Sequence, residues 1–305
     1  NATAPTPASA SPGHSGAGAA AAAAAEGVAD IDRDGSGARH VAPARGVHAA
    51  AHPRPTGGQV TIAPTHPPQR ARPTLAMHLP HSRQWSDLTT EQFAALDRDR
   101  LIAVLPVGAV EQHGPHLPLS TDHAALEGIV AATVARLPAE LPVLFLPGVA
   151  YGKSNEHARY PGTVTLSLPT LVALWTEIAD SVVRAGVRKF VFFNGHGGQM
   201  NAMDIVTRDL RERHGVLVVA SSWFTLGLPP GLFDDHELQH GIHGGDLETS
   251  VMLALAPQHV RMDRAQRFGS LTEELADEGH RFLSITRSGK IGWQTQDLNP
   301  LGACG

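Results

Sequence analysis

Apolar residues along this chain fall into short continuous runs that alternate with segments of helical spacing. Residues 101–107 form an almost wholly apolar run, which is typical of a strand buried on both faces of a sheet. Residues 120–122 then form a predicted helix N-cap. Apolar side chains recur behind that cap at helical spacing: Leu126, Ile129, Val130, Val134 and Leu137. The pattern predicts a strand followed by a helix.

The same pairing repeats toward the C-terminus. Further strands are predicted at residues 143–146, 164–168, 189–193 and 216–220, and helices within 88–100, at 170–185, from 198 to about 214, and at 251–255. Residues 223–242 are rich in Pro, Gly, Asp and His and are predicted to be a loop. Residues 289–305 are rich in turn formers without a closing element, which predicts a truncated C-terminus. Strands that alternate with helices predict an α/β fold with a mostly parallel sheet and helices on both faces.

Composition divides the chain in two. No Phe, Trp or Tyr precedes Trp85, and Ala, Pro, Gly and Ser dominate residues 1–76. Such a segment cannot bury enough apolar surface to offset the entropy of ordering it. We therefore predict a disordered tail at residues 1–76 and one folded domain at residues 77–305.

Charge and cysteine usage exclude several function classes. The net charge is -5, and neither part of the chain carries the basic cluster that nucleic-acid binding requires. No apolar run approaches the ~20 residues of a membrane helix. The single cysteine, Cys304, excludes a disulfide framework. A cytoplasmic protein that binds neither nucleic acid nor membrane is expected.

The segment after the first predicted strand contains carboxylates and imidazoles. Glu111 and His113 are two residues apart, so their side chains can point the same way from an extended backbone. Such oxygen and nitrogen donors suit a borderline divalent metal. A surface salt bridge with an incidental histidine is the alternative. Asp122 could bridge two ions or simply cap the following helix.

Two later segments carry similar chemistry. His196 follows a predicted buried strand and lies between glycines, while His243 and Glu248 flank a second glycine pair. Loops at the carboxyl ends of parallel strands converge on one crevice, so these side chains are candidates for one site. The alternatives are a phosphate-binding glycine loop at 195–198, although the third glycine of G-x-G-x-x-G is missing, and a Glu248 that serves only the helix dipole.

Other functional readings remain open from the residues alone. A nucleotide-dependent oxidoreductase on the same type of sheet and a catalytically silent metal-binding protein are the alternatives to a metal enzyme. The chain has no G-x-S-x-G motif that would indicate a serine nucleophile, and Cys304 has no evident histidine partner.

His157 is either a substrate-loop residue or an exposed loop histidine. His116 and His123 receive no role.

Three segments with matched internal spacing resemble the creatininase (creatinine amidohydrolase) family. They are Val-Gly-Ala-Val-Glu-Gln-His-Gly-Pro-His-Leu-Pro-Leu-Ser-Thr-Asp at 107–122, Asn-Gly-His-Gly-Gly at 194–198 and His-Gly-Gly-Asp-Leu-Glu-Thr-Ser at 243–250. A Tyr-Pro-Gly-Thr turn at 160–163 belongs to the same resemblance, which extends from about residue 85 to residue 305. The tail lies outside it.

The resemblance implies a three-layer α/β/α sandwich with two divalent ions, zinc first with manganese or iron possible at one site, often assembled as a homo-oligomer such as a hexamer. By position, Glu111 and His196 would hold one ion, His113 the other, and Asp122 would bridge them. Creatininase itself carries a metal-binding glutamate where this chain has Gly198. Glu248 is the implied replacement ligand. The glycine at position 198 is also found in the family members with an N-G-H-G-G motif, which include formamide hydrolases and a mycofactocin-type peptidase.

The implied reaction is hydrolysis of a C–N amide bond in a small cyclic amide, formamide or peptide. A hydroxide that bridges the two ions would attack the carbonyl carbon. His243, with an ordinary pKa near ~6.5, would carry a proton to the leaving nitrogen, and Glu248 would assist. Ser154 and His157, within the loop 152–163, are predicted to contact the substrate. Loops 223–242 and 289–299 are predicted to set specificity.

Overall fold

A parallel sheet forms the centre of the computed structural model, which describes residues 82–280, 282–285 and 289–305. Within those residues the sheet has the strand order β2-β1-β3-β4. The strands are β1 (Ile102–Val107), β2 (Val143–Phe145), β3 (Lys189–Asn194) and β4 (Leu217–Ser222). All three strand pairs are parallel, as the alternation of strands and helices predicts. The predicted tail at 1–76 lies outside the described residues.

Helices connect and flank the strands. They are α1 (Thr90–Ala94), α2 (Thr121–Val134), α3 (Leu168–Arg184), α4 (Met200–His214), α5 (Asp235–His240), α6 (Asp246–Leu255), α7 (Leu271–Asp277) and α8 (Thr295–Leu298). Short 3-10 turns occur at Trp85–Asp87, Asn155–His157, Gly197–Gln199, Trp223–Thr225, Pro257–His259 and Met262–Arg264. No helix in this described part of the chain is long and apolar enough to cross a membrane.

Alternate residues of β1 point into two different cores. Ala103 and Leu105 pack with Trp175 of α3 and with side chains of α4. Val104 faces the opposite way and packs with Val130 of α2. Because successive side chains of a strand alternate between faces, this near-continuous apolar strand serves both cores. The arrangement is a three-layer α/β/α sandwich, with α2 on one face of the sheet and α3 and α4 on the other.

Local sequence explains where the main elements start and stop. Helix α3 begins after Ser167, whose hydroxyl accepts the Thr170 N–H, and α4 ends at Gly215, which adopts the left-handed conformation with φ 64°. Strand β2 pairs with β1 only as far as Val104. Pro106, two residues further along β1, has no N–H that it could donate to a longer β2.

Two sequence-based predictions about elements were wrong. Residues 164–168 do not form a strand, since Val164 makes only an isolated bridge to Val110, and the segment leads into α3. The predicted loop 223–242 contains helix α5, which Asp234 caps by accepting the Glu237 N–H. Residues 289–305 contain helix α8. Near the end of this segment, Cys304 forms an antiparallel bridge with His243.

Candidate metal centre

Charged side chains gather where the loops after β1 and β3 meet the first turns of α2 and α6. Glu111 and His113 follow β1, His196 follows β3, and Asp122 and Glu248 lie in the first turns of α2 and α6. The first four are at most 3% exposed. The structure thus brings together all five side chains that the sequence assigns to metal, as expected for loops at the carboxyl ends of parallel strands.

Asp122 lies at the centre of this cluster. Its Oδ1 is 3.0 Å from Nε2 of His113, and its Oδ2 is 3.0 Å from Nδ1 of His196. The carboxylate therefore presents one oxygen to each of two imidazoles. The N-cap residue of α2 is Ser120, so the alternative in which Asp122 serves as the cap does not hold.

Glu111 and Glu248 each lie beside one of the two imidazoles. Glu111 Oε2 is 3.3 Å from Nδ1 of His196, and Glu248 Oε2 is 3.7 Å from Nε2 of His113. Glu248 also accepts the Gly244 N–H at 2.6 Å. Because Glu111 is only 1% exposed, it is not part of a surface salt bridge. Glu248 faces His113 rather than serving only the helix dipole.

Backbone carbonyls fix how the two imidazoles are turned. Nδ1 of His113 lies 3.1 Å from the Glu111 carbonyl oxygen, and Nε2 of His196 lies 2.9 Å from the Lys153 carbonyl oxygen. A carbonyl can only accept, so each of these nitrogens donates a proton. The other nitrogen of each ring faces the carboxylates. This is the arrangement that metal-binding histidines adopt.

His243 is held by a similar contact. Its Nε2 donates to the Gln112 carbonyl at 2.7 Å, so the lone pair of the neutral ring is on Nδ1, which lies 3.7 Å from Oε1 of Glu111. The Cys304 N–H donates to the His243 carbonyl at 2.8 Å and fixes its backbone. The thiol of Cys304 is buried, which raises its pKa to about 11 and makes it a poor nucleophile at neutral pH.

His157 lies against the cluster and is 2% exposed, so it is not an exposed loop histidine. Its Nε2 is 3.3 Å from Oε1 of Glu111, and its Nδ1 is 2.7 Å from Nε2 of Gln112. Because the Gln112 amide nitrogen donates, His157 Nδ1 accepts and Nε2 donates to Glu111. Both ring nitrogens therefore have protein partners. These contacts favour a role in which His157 holds Glu111 in place over a role in which it contacts a substrate.

Ser154, the other predicted substrate contact, is completely buried. Its Oγ is 3.5 Å from Nε2 of His196, on the side of the ring that faces away from Asp122. Its backbone N–H donates to Thr165 Oγ1 at 2.8 Å. Ser154 thus contacts a residue of the cluster from behind. Its role in substrate binding stays a prediction.

Sequence reasoning missed Gln112, which joins three loops. Its side-chain nitrogen donates to the Gly302 carbonyl at 2.9 Å as well as to His157, and its Oε1 accepts the Gly114 N–H at 3.0 Å. The only sequence signal was its position between Glu111 and His113. His116, which received no role, lies outside the cluster with its Nε2 3.0 Å from Thr249 Oγ1.

Opposite charges and burial set the protonation of the cluster. Burial disfavours a charged His113, but Asp122, Glu248 and Glu111 raise its pKa to about 10. Glu111 and Asp122 likewise raise the pKa of His196 well above its ordinary value against the effect of burial. The metal-free cluster therefore binds protons on the two imidazoles that face the carboxylates.

His243 differs from the sequence-based expectation. Burial and the neighbouring rings of His113 and His157 lower its pKa well below the ordinary value of about 6.5. Burial also raises the pKa of the Glu248 carboxyl to about 7. His243 is thus neutral at physiological pH, with the lone pair of Nδ1 directed toward the cluster.

The donor atoms fit divalent metal. Among the described residues, three groups place one possible ligand atom from each member within 4.8 Å of the others: Glu111, His113 and His243; Glu111, Asp122 and His196; and His113, Asp122 and Glu248. Asp122 belongs to two of them. Glu111 Oε2 and Asp122 Oδ2 are buried beside Nδ1 of His196, at 3.3 and 3.0 Å, without a hydrogen bond of good geometry, and buried carboxylate oxygens usually pair with a proton donor or a cation. Mixed carboxylate and imidazole ligands suit zinc and its neighbours.

The glycine loop at 195–198 does not resemble a phosphate site. A carboxylate, Glu156, lies directly beside Gly198, at the position where a Cβ atom would be. Negative charge at this point would repel a phosphate. The alternative of a nucleotide-binding loop is disfavoured.

Comparisons with known proteins point in the same direction as the geometry. Residues 86–305 match the creatininase family model, described as creatinine amidohydrolase. A mycofactocin precursor peptide peptidase of Mycobacterium tuberculosis (strain CDC 1551 / Oshkosh) is 37% identical over 167 residues, which cover 53% of this chain and 61% of that protein. A creatinine amidohydrolase of Pseudomonas putida is 34% identical over 180 residues, 53% of this chain and 67% of that protein. The chain thus spans less than two thirds of the length of the mycobacterial relative.

Solved structures show the same similarity. A mutant creatininase superposes with a TM-score of 0.52 at 29% identity, covering 62% of this chain and 79% of the other. A Bacteroides fragilis NCTC 9343 protein proposed to be a creatinine amidohydrolase superposes with a TM-score of 0.54 at 25% identity, covering 71% of this chain and 87% of the other.

Proposed function

Since the chain belongs to the creatininase family, we propose that it is a metal-dependent amidohydrolase that cleaves the C–N amide bond of a cyclic amide, a formamide or a short peptide. The observation that carries the proposal is the position of Asp122. Its two oxygens face two different imidazoles at 3.0 Å each, and it belongs to two groups of possible metal ligands. A carboxylate in this position can bridge two cations.

The residues divide into two ligand sets. Glu111, Asp122 and His196 would hold one ion, and His113, Asp122 and Glu248 the other. Zinc is the first candidate because it accepts carboxylate and imidazole ligands, and manganese or iron could occupy one site. Bound ions of this kind polarise an amide carbonyl and lower the pKa of a bound water toward neutrality.

His243 is the proton carrier in this proposal. Its Nε2 is committed to the Gln112 carbonyl, which leaves Nδ1 free to accept a proton near Oε1 of Glu111. Because its pKa lies well below the ordinary value, the protonated ring is a stronger acid than an ordinary imidazolium. It would therefore pass its proton readily to the nitrogen that leaves when the C–N bond breaks.

The relatives define the substrates to try first. The names of two relatives specify a mycofactocin precursor peptide and creatinine. This chain has Gly198 where the resemblance places a metal-binding glutamate of creatininase, so formamides and peptides are proposed ahead of creatinine. The three segments 152–163, 223–242 and 289–299 would supply specificity.

The test is a substrate screen with controlled metal content. The purified full chain is stripped with a chelator, reloaded with zinc or manganese, and incubated with creatinine, N-formyl amines and short peptides, with products followed by mass spectrometry. We expect hydrolysis only after metal is restored. Hydrolysis that persists in stripped protein would overturn the proposal, as would tight binding of a reduced nicotinamide cofactor by protein that takes up no metal.

A further inference from the structure

A buried carboxylate stands behind His196, on the side of the ring that faces away from Asp122. Glu156 is 8% exposed, and its Oε1 lies 3.5 Å from Nε2 of His196. That oxygen is buried and has no hydrogen-bond partner among the described residues. Burying an unpaired carboxylate is costly, so an interaction with the imidazole is the evident compensation.

Gly198 makes room for this carboxylate. A Cβ atom at Gly198 would lie 1.7 Å from Oε1 of Glu156 and 2.7 Å from Nε2 of His196. A Cβ at the neighbouring Gly197 would meet nothing within 4 Å. Neither glycine has a positive φ, so the backbone at both positions suits other residues. While Glu156 keeps this position, residue 198 therefore has no room for a side chain.

Three oxygen atoms from one short segment surround Nε2 of His196. They are the Lys153 carbonyl at 2.9 Å, Ser154 Oγ at 3.5 Å and Glu156 Oε1 at 3.5 Å. The N–H on Nε2 points into this group, and Nδ1 consequently faces Glu111 and Asp122. A carboxylate beside the N–H of a metal-binding histidine fixes the ring and raises the basicity of the other nitrogen.

We propose that Glu156 is a positioning residue that, admitted by Gly198, orients His196 and strengthens its hold on a metal ion. The inference rests on the proposed function, because it supposes that His196 binds metal. It also gives Ser154 a place in the same group of oxygens, behind the imidazole.

The test measures zinc affinity of the full-length chain, stripped of metal and titrated with Zn²⁺ alone against a chromophoric chelator. Loss of an outer partner of this kind typically weakens metal binding about 10-fold to 100-fold, and we expect that for both Glu156→Gln and Gly198→Ala. Gly197→Ala and Glu140→Gln, which changes an exposed carboxylate, are matched controls that should leave the affinity unchanged. Substitution of Co²⁺ gives a second readout, since the visible spectrum should change in the first two variants only.

A double-mutant cycle separates this role from a general loss of packing. Gly198→Ala displaces the Glu156 side chain and also brings a Cβ atom to 2.7 Å from Nε2 of His196, so in a Glu156→Ala background it should weaken zinc binding less than it does in the wild type. The inference is overturned if Glu156→Gln binds zinc like the wild type, or if Gly198→Ala weakens binding equally in both backgrounds. A wild-type chain that binds no zinc would instead overturn the proposed function, and this inference with it.

Discussion

Asp122 lies with its Oδ1 atom 3.0 Å from Nε2 of His113, and both side chains are almost completely buried. In the metal-free protein this contact is an ion pair, because the carboxylates around His113 raise its pKa to about 10. A divalent cation that displaced the proton would offset the negative charge of the carboxylates in its place. The same pair would thus have a protonated and a metal-bound state.

Replacing the central carboxylate should remove metal from the whole cluster. Asp122→Asn keeps the size of the side chain but loses the charge that faces both His113 and His196. We expect zinc content to fall for both ions and hydrolysis to fall with it, because the ions supply the chemistry. Asp209→Asn, which alters an exposed carboxylate paired with Arg213, is the control. A variant with Asn at position 122 that retains wild-type zinc content would contradict the bridging role.

His243 should affect turnover without affecting metal content. It donates to the Gln112 carbonyl and leaves Nδ1 free, so His243→Asn should lower kcat about 10²-fold to 10⁴-fold, the usual range for a lost general acid or base. Zinc content, measured by elemental analysis, should remain that of the wild type. Because His243 also belongs to one group of possible ligands, loss of zinc in this variant would show that it is a ligand instead. His280→Asn, at an exposed site, is the control.

The sequence predicts that His157 contacts the substrate, whereas the structure favours a role in holding Glu111, and one substitution can distinguish the two roles. His157→Phe fills the same space but removes the N–H that faces Glu111 at 3.3 Å. We expect zinc affinity to fall about tenfold, as for other partners of metal ligands, and KM to change little. A large rise in KM at unchanged zinc affinity would restore the substrate-binding role that the sequence suggested.

The sequence was most informative around β1, where the strand and three candidate metal ligands lie close together along the chain. Residues 101–107 predict β1 because a strand with helices on both faces must be apolar on both sides. Glu111, His113 and Asp122 follow within a few residues, so their proximity is nearly dictated by the chain. His196 could be placed with them because parallel strands end at the same edge of the sheet, whereas Glu248, in the first turn of α6, was assigned as a ligand by the resemblance to the creatininase family.

Elements that depend on polar contacts were harder to predict. Helix α5 has no apolar periodicity and begins with a cap, the Asp234 carboxylate that accepts the Glu237 N–H at 2.8 Å. Residues 164–168 alternate like a strand, but Thr165 binds the Ser154 N–H and Ser167 caps α3. Side-chain bonds of this kind compete with strand pairing.

The residues that support the site could not be found from local sequence. Gln112 bonds to His157 and to Gly302, which lie 45 and 190 positions further along the chain. Glu156 owes its position to the missing side chain at Gly198. A glycine in place of an expected metal ligand was the available signal, but it does not say which side chain occupies the space.

Zinc affinity should depend on pH in a defined direction. His113 in the metal-free protein has a pKa of about 10, so below that pH a proton must leave its Nε2 before zinc binds. Affinity should therefore rise with pH, by about tenfold per pH unit for each proton released. Titrations between about pH 6 and about pH 8, corrected for the chelator, would measure this slope. An affinity that is flat over this range would mean that no protonated imidazole is displaced.

Zinc stoichiometry tests the central claim most directly. The wild-type chain, loaded with zinc and dialysed, is compared by elemental analysis with Glu248→Gln, which changes a carboxylate that belongs to only one of the two proposed ligand sets. The proposed pair of sites predicts two zinc ions per wild-type chain and one in the variant. A wild-type chain with fewer than two zinc ions, or a variant that still holds two, would contradict it.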